Sequence, residues 1–89
     1  MKTKKIFTVL FREKPALMLI HLLTTNTQVY ASSLAKAVDC TYSHVVKVLQ
    51  QMERENLISF KKIDRRKIIT LTTKGKKIAL GIDEIRKNL

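Results

Sequence analysis

The spacing of hydrophobic residues changes along this chain, from a helical period in its first part to short β-rich runs further on. Up to about residue 56 the apolar residues recur every three or four positions, which is typical of amphipathic helices that bury one face. The clearest such stripe is Val45, Val48, Leu49 and Met52. Residues 57–63 and 67–72 are short runs rich in β-branched residues, on either side of Asp64-Arg65-Arg66. The pattern predicts an α+β fold that is mostly helical and contains one antiparallel hairpin.

Capping and turn residues divide the helical part into segments. Residues 4–12 fit a short helix, although their β-branched residues would also suit a strand. Pro15 favours the first turn of a second helix that runs to about Leu23. We expect this helix to bury most of its larger apolar residues, which are Leu17, Leu19, Ile20, Leu22 and Leu23. Residues 28–30 are expected to form a short extended segment.

Two further helices follow, and a last one comes after the hairpin. Ser32 or Ser33 can cap a helix that ends near Val38, and Thr41 can cap the next one. Asn56 can end that helix in the left-handed conformation. Thr73 is expected to cap the last helix, which places apolar residues on one face at Ile78, Ile82, Ile85 and Leu89.

About three residues separate the end near Val38 from the start at Thr41, and this spacing suits a helix-turn-helix. With the hairpin behind it, the order predicts a winged helix-turn-helix, with a three-helix core, a short strand, a two-stranded β-hairpin wing and a C-terminal helix. The 89 residues are expected to form a single domain, because two independent cores would not fit. Within residues 1–89, the basic segment 1–14 precedes the predicted three-helix core and the helix 73–89 follows the wing.

The charge indicates a polyanionic partner. The chain has 18 basic and 7 acidic residues, for a net charge of +11. Eight basic residues fall between Lys61 and Lys77 and five within the first 14 residues, whereas the stretch from Ala16 to Arg54 holds three. The basic residues therefore form segments that flank a nearly neutral core and are not spread over a uniformly solvated surface, but the charge does not say which polyanion binds. From charge alone, a lysine-rich surface that serves solubility or a basic helix on anionic lipid stays possible.

The second helix of the pair is the candidate recognition helix, which would enter the major groove with its N-terminus first. Since its core face carries the apolar stripe, Tyr42, Val46 and Lys47 lie on the opposite face. Hydroxyls and Lys47 can contact phosphates or base edges, and Val46 can contact a thymine methyl. The alternative for this helix is a plain surface helix of a bundle.

The hairpin tip is the candidate wing, and its arginines suit the strong negative potential of a narrow minor groove. We expect Arg66 to enter the minor groove and Asp64 to orient Arg66 or bond the turn amides. The alternative is a solvated turn whose lysines only discourage edge pairing. Together, helix and wing predict DNA contacts from Ser33, Lys36, Thr41, Tyr42, Ser43, His44, Val46, Lys47, Lys61, Lys62, Arg65, Arg66 and Lys67.

Residues 15–79 resemble the winged-helix domain of the multiple-antibiotic-resistance regulator (MarR) family and related archaeal winged-helix regulators. The more specific matches are Asp64-Arg65-Arg66, for the Asp-x-Arg of the family's wing, and residues 71–75, for its Leu-Thr-x-x-Gly. The weaker matches are Ser33-Leu34-Ala35-Lys36, Val45-Val46-Lys47-Val48-Leu49 and Asn56-Leu57-Ile58. The resemblance implies a dimeric DNA-binding regulator, with Arg66 as the minor-groove residue and Asp64 as its partner. The basic segment 1–14 and the helix 73–89 are then the expected dimerisation elements. The helices at both ends are shorter than is usual in the family, so a small-molecule effector pocket is doubtful.

Two other functions stay open, which are a non-specific architectural DNA-binding protein and a winged-helix module that binds another protein. No enzyme, cofactor or metal is expected. No catalytic set stands out, and His21 and His44 have no carboxylate or cysteine at metal-ligand spacing. The single cysteine cannot form an internal disulfide, and no apolar run approaches the roughly 18 residues of a membrane span. We therefore expect a cytoplasmic protein.

Overall fold

The structure, a computed structural model, describes all of residues 1–89. Five helices and one two-stranded antiparallel hairpin follow each other in an order that confirms the predicted winged helix-turn-helix fold. None of the five helices has the length and apolar content needed to cross a bilayer. The elements are α1 (Lys5–Leu10), α2 (Glu13–Thr24), α3 (Ala31–Ala37), α4 (Tyr42–Arg54), β1 (Ile58–Ile63), β2 (Arg66–Leu71) and α5 (Thr73–Lys87).

The hydrophobic core includes the whole apolar stripe of α4, as the sequence predicted. The four residues of this stripe are buried, and Val45 and Met52 are completely inaccessible to solvent. Every helix and both strands add residues to the same buried cluster, from Leu10 in α1 to Ala79 in α5. One face of α4 is thereby fixed in the core, and the opposite face is left free for another partner.

Helix α2 begins two residues before Pro15. One of its leucines is more exposed than the sequence predicted. Its buried side is formed by Pro15, Met18 and Leu19. Leu17, which we expected to be mostly buried, is 37% exposed. Since an α-helix turns by about 100° per residue, Leu17 lies opposite this buried side. The other three apolar residues are half-buried, at Ile20, Leu22 and Leu23.

The extended segment between α2 and α3 does not form the predicted short strand. One backbone hydrogen bond joins this segment to the hairpin: the N–H of Ile69 donates to the carbonyl of Val29 at 2.9 Å. The sheet therefore has two strands and not three. A longer ladder is prevented because Tyr30, the next residue, is already the N-cap of α3. The single bond still ties this segment to β2.

Threonines cap the last two helices, in one case one residue earlier than predicted. Thr41 caps α4 as expected, because its Oγ1 accepts a hydrogen bond from the backbone N–H of His44. In α5 the cap is Thr72 and not Thr73, since Thr72 Oγ1 accepts from the N–H of Gly75 at 3.0 Å. Two adjacent threonines are equally suited by type to this position, and contacts elsewhere in the fold decide between them.

Left-handed residues end α3 and α4, as the sequence predicted for Asn56. Asn56 has φ 61°, and the next amide, that of Leu57, donates to the carbonyl of Met52 at 2.9 Å. This bond is characteristic of the Schellman motif, which glycine usually completes. Asp39, with φ 53°, ends α3 in the same way. Both motifs turn the chain sharply, Asp39 towards the start of α4 and Asn56 into the wing.

The hairpin, residues 58–71, is the wing, and its turn is shorter than predicted. The pairing runs from Ile58 opposite Leu71 to Ile63 opposite Arg66, which leaves Asp64 and Arg65 as a two-residue turn. Arg66 was expected in the turn and instead begins β2. The base of the wing is buried in the core, whereas every residue from 61 to 67 is exposed. Its tip therefore projects from the body of the protein.

Helix α5 packs along α2, and its apolar stripe divides into two parts. Ile78 and Ile82 are half-buried and pack against the core. Ile85 is 49% exposed and Leu89 fully exposed. The stripe thus covers the protein's own core at one end and leaves apolar surface uncovered at the other.

Asp83 is the one acidic residue of the chain that is buried. Its carboxylate contacts Arg86 Nη2 at 2.6 Å and Lys87 Nζ at 3.2 Å. The hydrogen bond from Arg86 is the main reason why the pKa of Asp83 lies below its ordinary value; the bond from Lys87 acts in the same direction, and burial opposes both. These contacts satisfy the carboxylate, so it fits the buried side of α5 in its charged form.

The base of the wing is locked to the first turn of α5 by a close backbone approach at Gly75. A Cβ atom on Gly75 would overlap the carbonyl oxygen of Leu57, whereas one on Gly81 would meet nothing within 4 Å. The same carbonyl accepts a hydrogen bond from the N–H of Thr72 at 3.0 Å. Glycine at position 75 is therefore required by packing, and the glycine at position 81 has no such role within the chain.

These two glycines give a matched pair of stability predictions. Gly75→Ala should lower the free energy of unfolding by about 2–4 kcal/mol, because Leu57 and α5 must move apart. Gly81→Ala should raise it by about 0.5–1 kcal/mol, since alanine restricts the unfolded chain and favours the helix. Urea denaturation followed by circular dichroism measures both changes. Equal effects of the two substitutions would contradict the close approach at Gly75.

Candidate nucleic-acid interface

Helix α4 presents a polar, exposed N-terminal face to solvent. Tyr42, Ser43 and Lys47 are exposed, and Val46 beside them is half-buried. The aligned peptide dipoles give this end of the helix a partial positive charge, which favours a phosphate nearby. The first two turns of α4 therefore combine hydroxyls, a cation and an apolar side chain, the set expected of a helix that contacts both phosphates and base edges.

The turn between α3 and α4 is rigidly built, which fixes the position of this N-terminal face. The amide of Cys40 donates to the carbonyl of Ala35 at 2.9 Å, and this bond closes the end of α3. From α2, Lys14 Nζ donates to the carbonyl of Val38 at 2.8 Å. These bonds satisfy carbonyls that the end of a helix would otherwise leave without partners. Cys40 itself is half-buried in the turn, as is usual for a small residue that packs between two helices.

The wing carries a cluster of cations without acidic partners. Its basic residues are Lys61, Lys62, Arg65, Arg66 and Lys67, and all are exposed. None takes part in an ion pair; the ion pairs of the chain involve Glu13, Glu55 and Asp83. Lys62 and Lys67 even lie directly opposite each other in the ladder. Like charges in this arrangement destabilise a hairpin, and phosphates bound near the two ammonium groups would relieve the repulsion.

A groove of about 800 Å³ separates the wing from α4, and we call it the wing groove. It brings together five of the predicted DNA-contacting residues, namely Tyr42, Val46, Arg65, Arg66 and Lys67. The other eight are exposed but do not line the groove; they lie on α3 (Ser33, Lys36), at the start of α4 (Thr41, Ser43, His44, Lys47) and on β1 (Lys61, Lys62). The predicted residues thus lie on the wing and on the two helices of the helix-turn-helix.

Two predicted roles need correction. The carboxylate of Asp64 makes no ion pair or hydrogen bond with Arg66; the guanidinium carbon of Arg66 instead lies 5.4 Å from the centre of the Tyr30 ring. Asp64 is in the turn with φ 56°, whereas Arg66 is already in β2. Ser33 does not cap α3 from the N-cap position: its hydroxyl donates to the carbonyl of Tyr30 and accepts from the N–H of the same residue.

The sequence prediction missed Tyr30 and Phe60, which add aromatic surface to the wing groove. Lys67 Nζ lies 5.8 Å from the centre of the Phe60 ring, in the geometry of a cation–π contact. An aromatic residue in the polar segment before α3 was the available signal for Tyr30. For Phe60 the strand alternation indicated only a half-buried position.

Comparison with solved structures identifies the fold of this chain. MepR, a transcription regulator of the multidrug efflux pump MepA in Staphylococcus aureus, superposes with a TM-score of 0.81 at 27% identity, over 94% of this chain and 64% of MepR. AF1382 from Archaeoglobus fulgidus superposes with a TM-score of 0.81 at 29% identity, over 93% of this chain and 94% of its own. The chain thus spans a little under two-thirds of the length of MepR.

A variant of MepR bound to an oligodeoxyribonucleotide also superposes, with a TM-score of 0.80 at 26% identity, over 94% of this chain and 64% of that one. No protein-family model matches the sequence, and no curated protein does. The structural neighbours are MarR-family transcription regulators, and the winged helix-turn-helix of this chain resembles theirs. This confirms the resemblance that the wing and the Leu-Thr-x-x-Gly motif indicated.

Proposed function

We propose that this chain is a transcriptional regulator that binds duplex DNA sequence-specifically in the cytoplasm. The observation that carries the proposal is the placement of an exposed polar helix start and a set of unpaired cations on two sides of one groove. Helix α4 has a width that fits the major groove, and a projecting hairpin can follow the adjacent backbone or minor groove. The DNA-bound relative supports this use of the fold.

In this proposal each element has its own role. Tyr42, Ser43, Val46 and Lys47 contact base edges and flanking phosphates, with Thr41 and His44 at the rim of the same helix start. Arg65 and Arg66 reach the minor groove, where a narrow groove concentrates negative potential. The remaining cations and the α3 hydroxyl hold phosphates and set the register, from Ser33, Lys36, Lys61, Lys62 and Lys67.

A non-specific architectural DNA-binding protein is the second candidate, and the net charge of +11 is the observation that favours it. Such a protein needs phosphate contacts and no selective contact to bases. It makes no use of the mixed hydroxyl, cationic and apolar face at the start of α4. A protein-interaction module, the third candidate, makes no use of the unpaired cations of the wing.

Selection of bound duplexes from random oligonucleotides tests the proposed function directly. We expect the chain to enrich one motif, because contacts at the start of α4 discriminate among bases by about 1–3 kcal/mol for each good contact. Recovery of duplexes without any shared motif would support the architectural protein. Failure to retain duplex DNA even at low salt would exclude both DNA-binding functions.

Loss of Arg66 should weaken binding to the selected duplex. We expect Arg66→Ala to cost about 1–3 kcal/mol, a loss of roughly 5- to 150-fold, if its guanidinium contacts bases. Arg54→Ala is the matched control, because it removes the same charge from the last turn of α4, about 18 Å from the first turn. Fluorescence anisotropy at fixed ionic strength measures both. If the two variants lost the same affinity for the duplex, Arg66 would contribute only through its positive charge and not through a contact to bases.

The functional unit in this proposal is a homodimer that binds a near-palindromic site. Phe7 in α1 and Phe11, the residue directly after this helix, are 52% and 59% exposed, and their ring centres lie 4.8 Å apart. On α5, Leu80 and Ile85 are also about half exposed. A large exposed apolar patch on a protein often marks an interaction site. In this proposal, the exposed apolar side chains of the first and last helices are the ones that the dimer buries.

Replacing both phenylalanines by serine should convert the dimer to a monomer. The two side chains are outside the core, so we expect the helical circular dichroism signal to stay unchanged. Sedimentation equilibrium measures the mass, and Ile63→Ser on the wing is the control because it removes a similarly exposed apolar residue from another surface. A wild-type chain that sediments as a monomer at micromolar concentration would contradict the dimer.

A further inference from the structure

We propose that Tyr30 is a positioning residue for DNA binding. Its ring holds the Arg66 side chain in the orientation that the DNA contact of Arg66 requires. This inference rests on the proposed function and deepens it. It assigns a binding role to a residue outside both the recognition helix and the wing. It also replaces Asp64, which the sequence suggested as the residue that orients Arg66.

Tyr30 is held by hydrogen bonds to its hydroxyl and to the backbone on both sides of it. Its hydroxyl donates to Gln28 Oε1 at 3.0 Å, and its backbone N–H donates to Ser33 Oγ at 2.9 Å. The preceding carbonyl, that of Val29, accepts from Ile69 in β2. The backbone on both sides of Tyr30 is thus tied to the start of α3 and to the strand that carries Arg66. This fixes the position from which the ring extends, so the ring can act as a platform with or without its hydroxyl bond.

Arg66 uses this platform without using its hydrogen-bond donors. Its guanidinium carbon lies 5.4 Å from the ring centre, and its nitrogens make no hydrogen bond or ion pair within the chain. A guanidinium that contacts an aromatic ring without spending an N–H on a hydrogen bond keeps those donors available for phosphate or base acceptors. Because the side chain is already held in place, it loses less conformational freedom when DNA binds.

The neighbouring arginine provides an internal comparison. Arg65 is exposed and lines the same wing groove, yet it has no aromatic partner. The two arginines have the same charge and almost the same position in the chain. They differ in backbone position, since Arg65 is in the turn and Arg66 in β2, and in their aromatic partner. The part of any difference between them that Tyr30→Leu removes reports on the ring.

In the free protein, the ring current of Tyr30 should shift the Arg66 side-chain protons upfield of those of Arg65 in the NMR spectrum. Tyr30→Leu should abolish this difference, because leucine fills similar space without a π face. Tyr30→Phe should preserve it. Arg66 and Arg65 protons with the same shifts in the wild-type chain would overturn the proposal.

A double-mutant cycle on DNA tests the functional part, with the selected duplex or a mixed-sequence duplex of about 30 base pairs as probe, long enough for two half-sites one turn apart. Tyr30→Leu should weaken binding about two- to fivefold, the range expected of one exposed cation–π contact. Tyr30→Phe should bind within about twofold of the wild type, by the same reasoning. In an Arg66→Ala background, Tyr30→Leu should have no further effect.

Three outcomes would count against the proposal, and they separate its failure from that of the proposed function. Wild-type affinity in Tyr30→Leu would overturn the positioning role alone. So would an equal loss in the Arg66→Ala background, since Tyr30 would then act through folding or through its own DNA contact. A wild-type chain that binds no duplex would overturn the proposed function, and the positioning role with it.

Discussion

The arrangement of wing and recognition helix depends on one close contact, between the first turn of α5 and the carbonyl of Leu57. Gly75 permits this approach. Thr72 secures it, because its amide donates to Leu57 and its hydroxyl donates to the carbonyl of Asn56 at 2.5 Å. Leu57 in turn donates to Met52 in the last turn of α4. A continuous set of hydrogen bonds therefore leads from the recognition helix through the base of the wing into α5.

This junction lets the wing tolerate charges that would weaken an isolated hairpin. Lys62 and Lys67 face each other without an acidic neighbour in the ladder, and a two-stranded hairpin has little stability of its own. The buried residues at its base, Ile58 and Ile69 among them, supply apolar burial that offsets the repulsion. Stability is thus concentrated at one end of the wing and charge at the other, and a locally unfavourable tip is a feature expected of a functional site.

The parts of the fold that sequence periodicity controls were predicted correctly. The α4 stripe, the hairpin and the left-handed Asn56 all depend on residues close together in the chain. The exposure of Leu17 is an error that the helical period could have prevented, because Leu17 lies opposite the buried side of α2. Other errors concern choices that distant residues decide. Thr72 and Thr73 are equivalent in type, and the carbonyl of Asn56, brought near by the wing, selects Thr72. Arg66 was paired with Asp64 because the two are neighbours in sequence, and no residue close to Arg66 in the chain indicates that the ring of Tyr30 lies beside it.

The contrast between Arg65 and Arg66 shows why charge patterns identify a class of partner more readily than a contact. Both arginines contribute the same long-range attraction to a polyanion, which depends on net charge and position. Their side chains differ in freedom, because only Arg66 rests on an aromatic ring. An immobilised side chain can bind with a smaller entropic loss, so two identical residues can differ in affinity and selectivity. That difference comes from residues 28–30, a segment with little charge and no regular secondary structure, which reaches the wing only through tertiary packing.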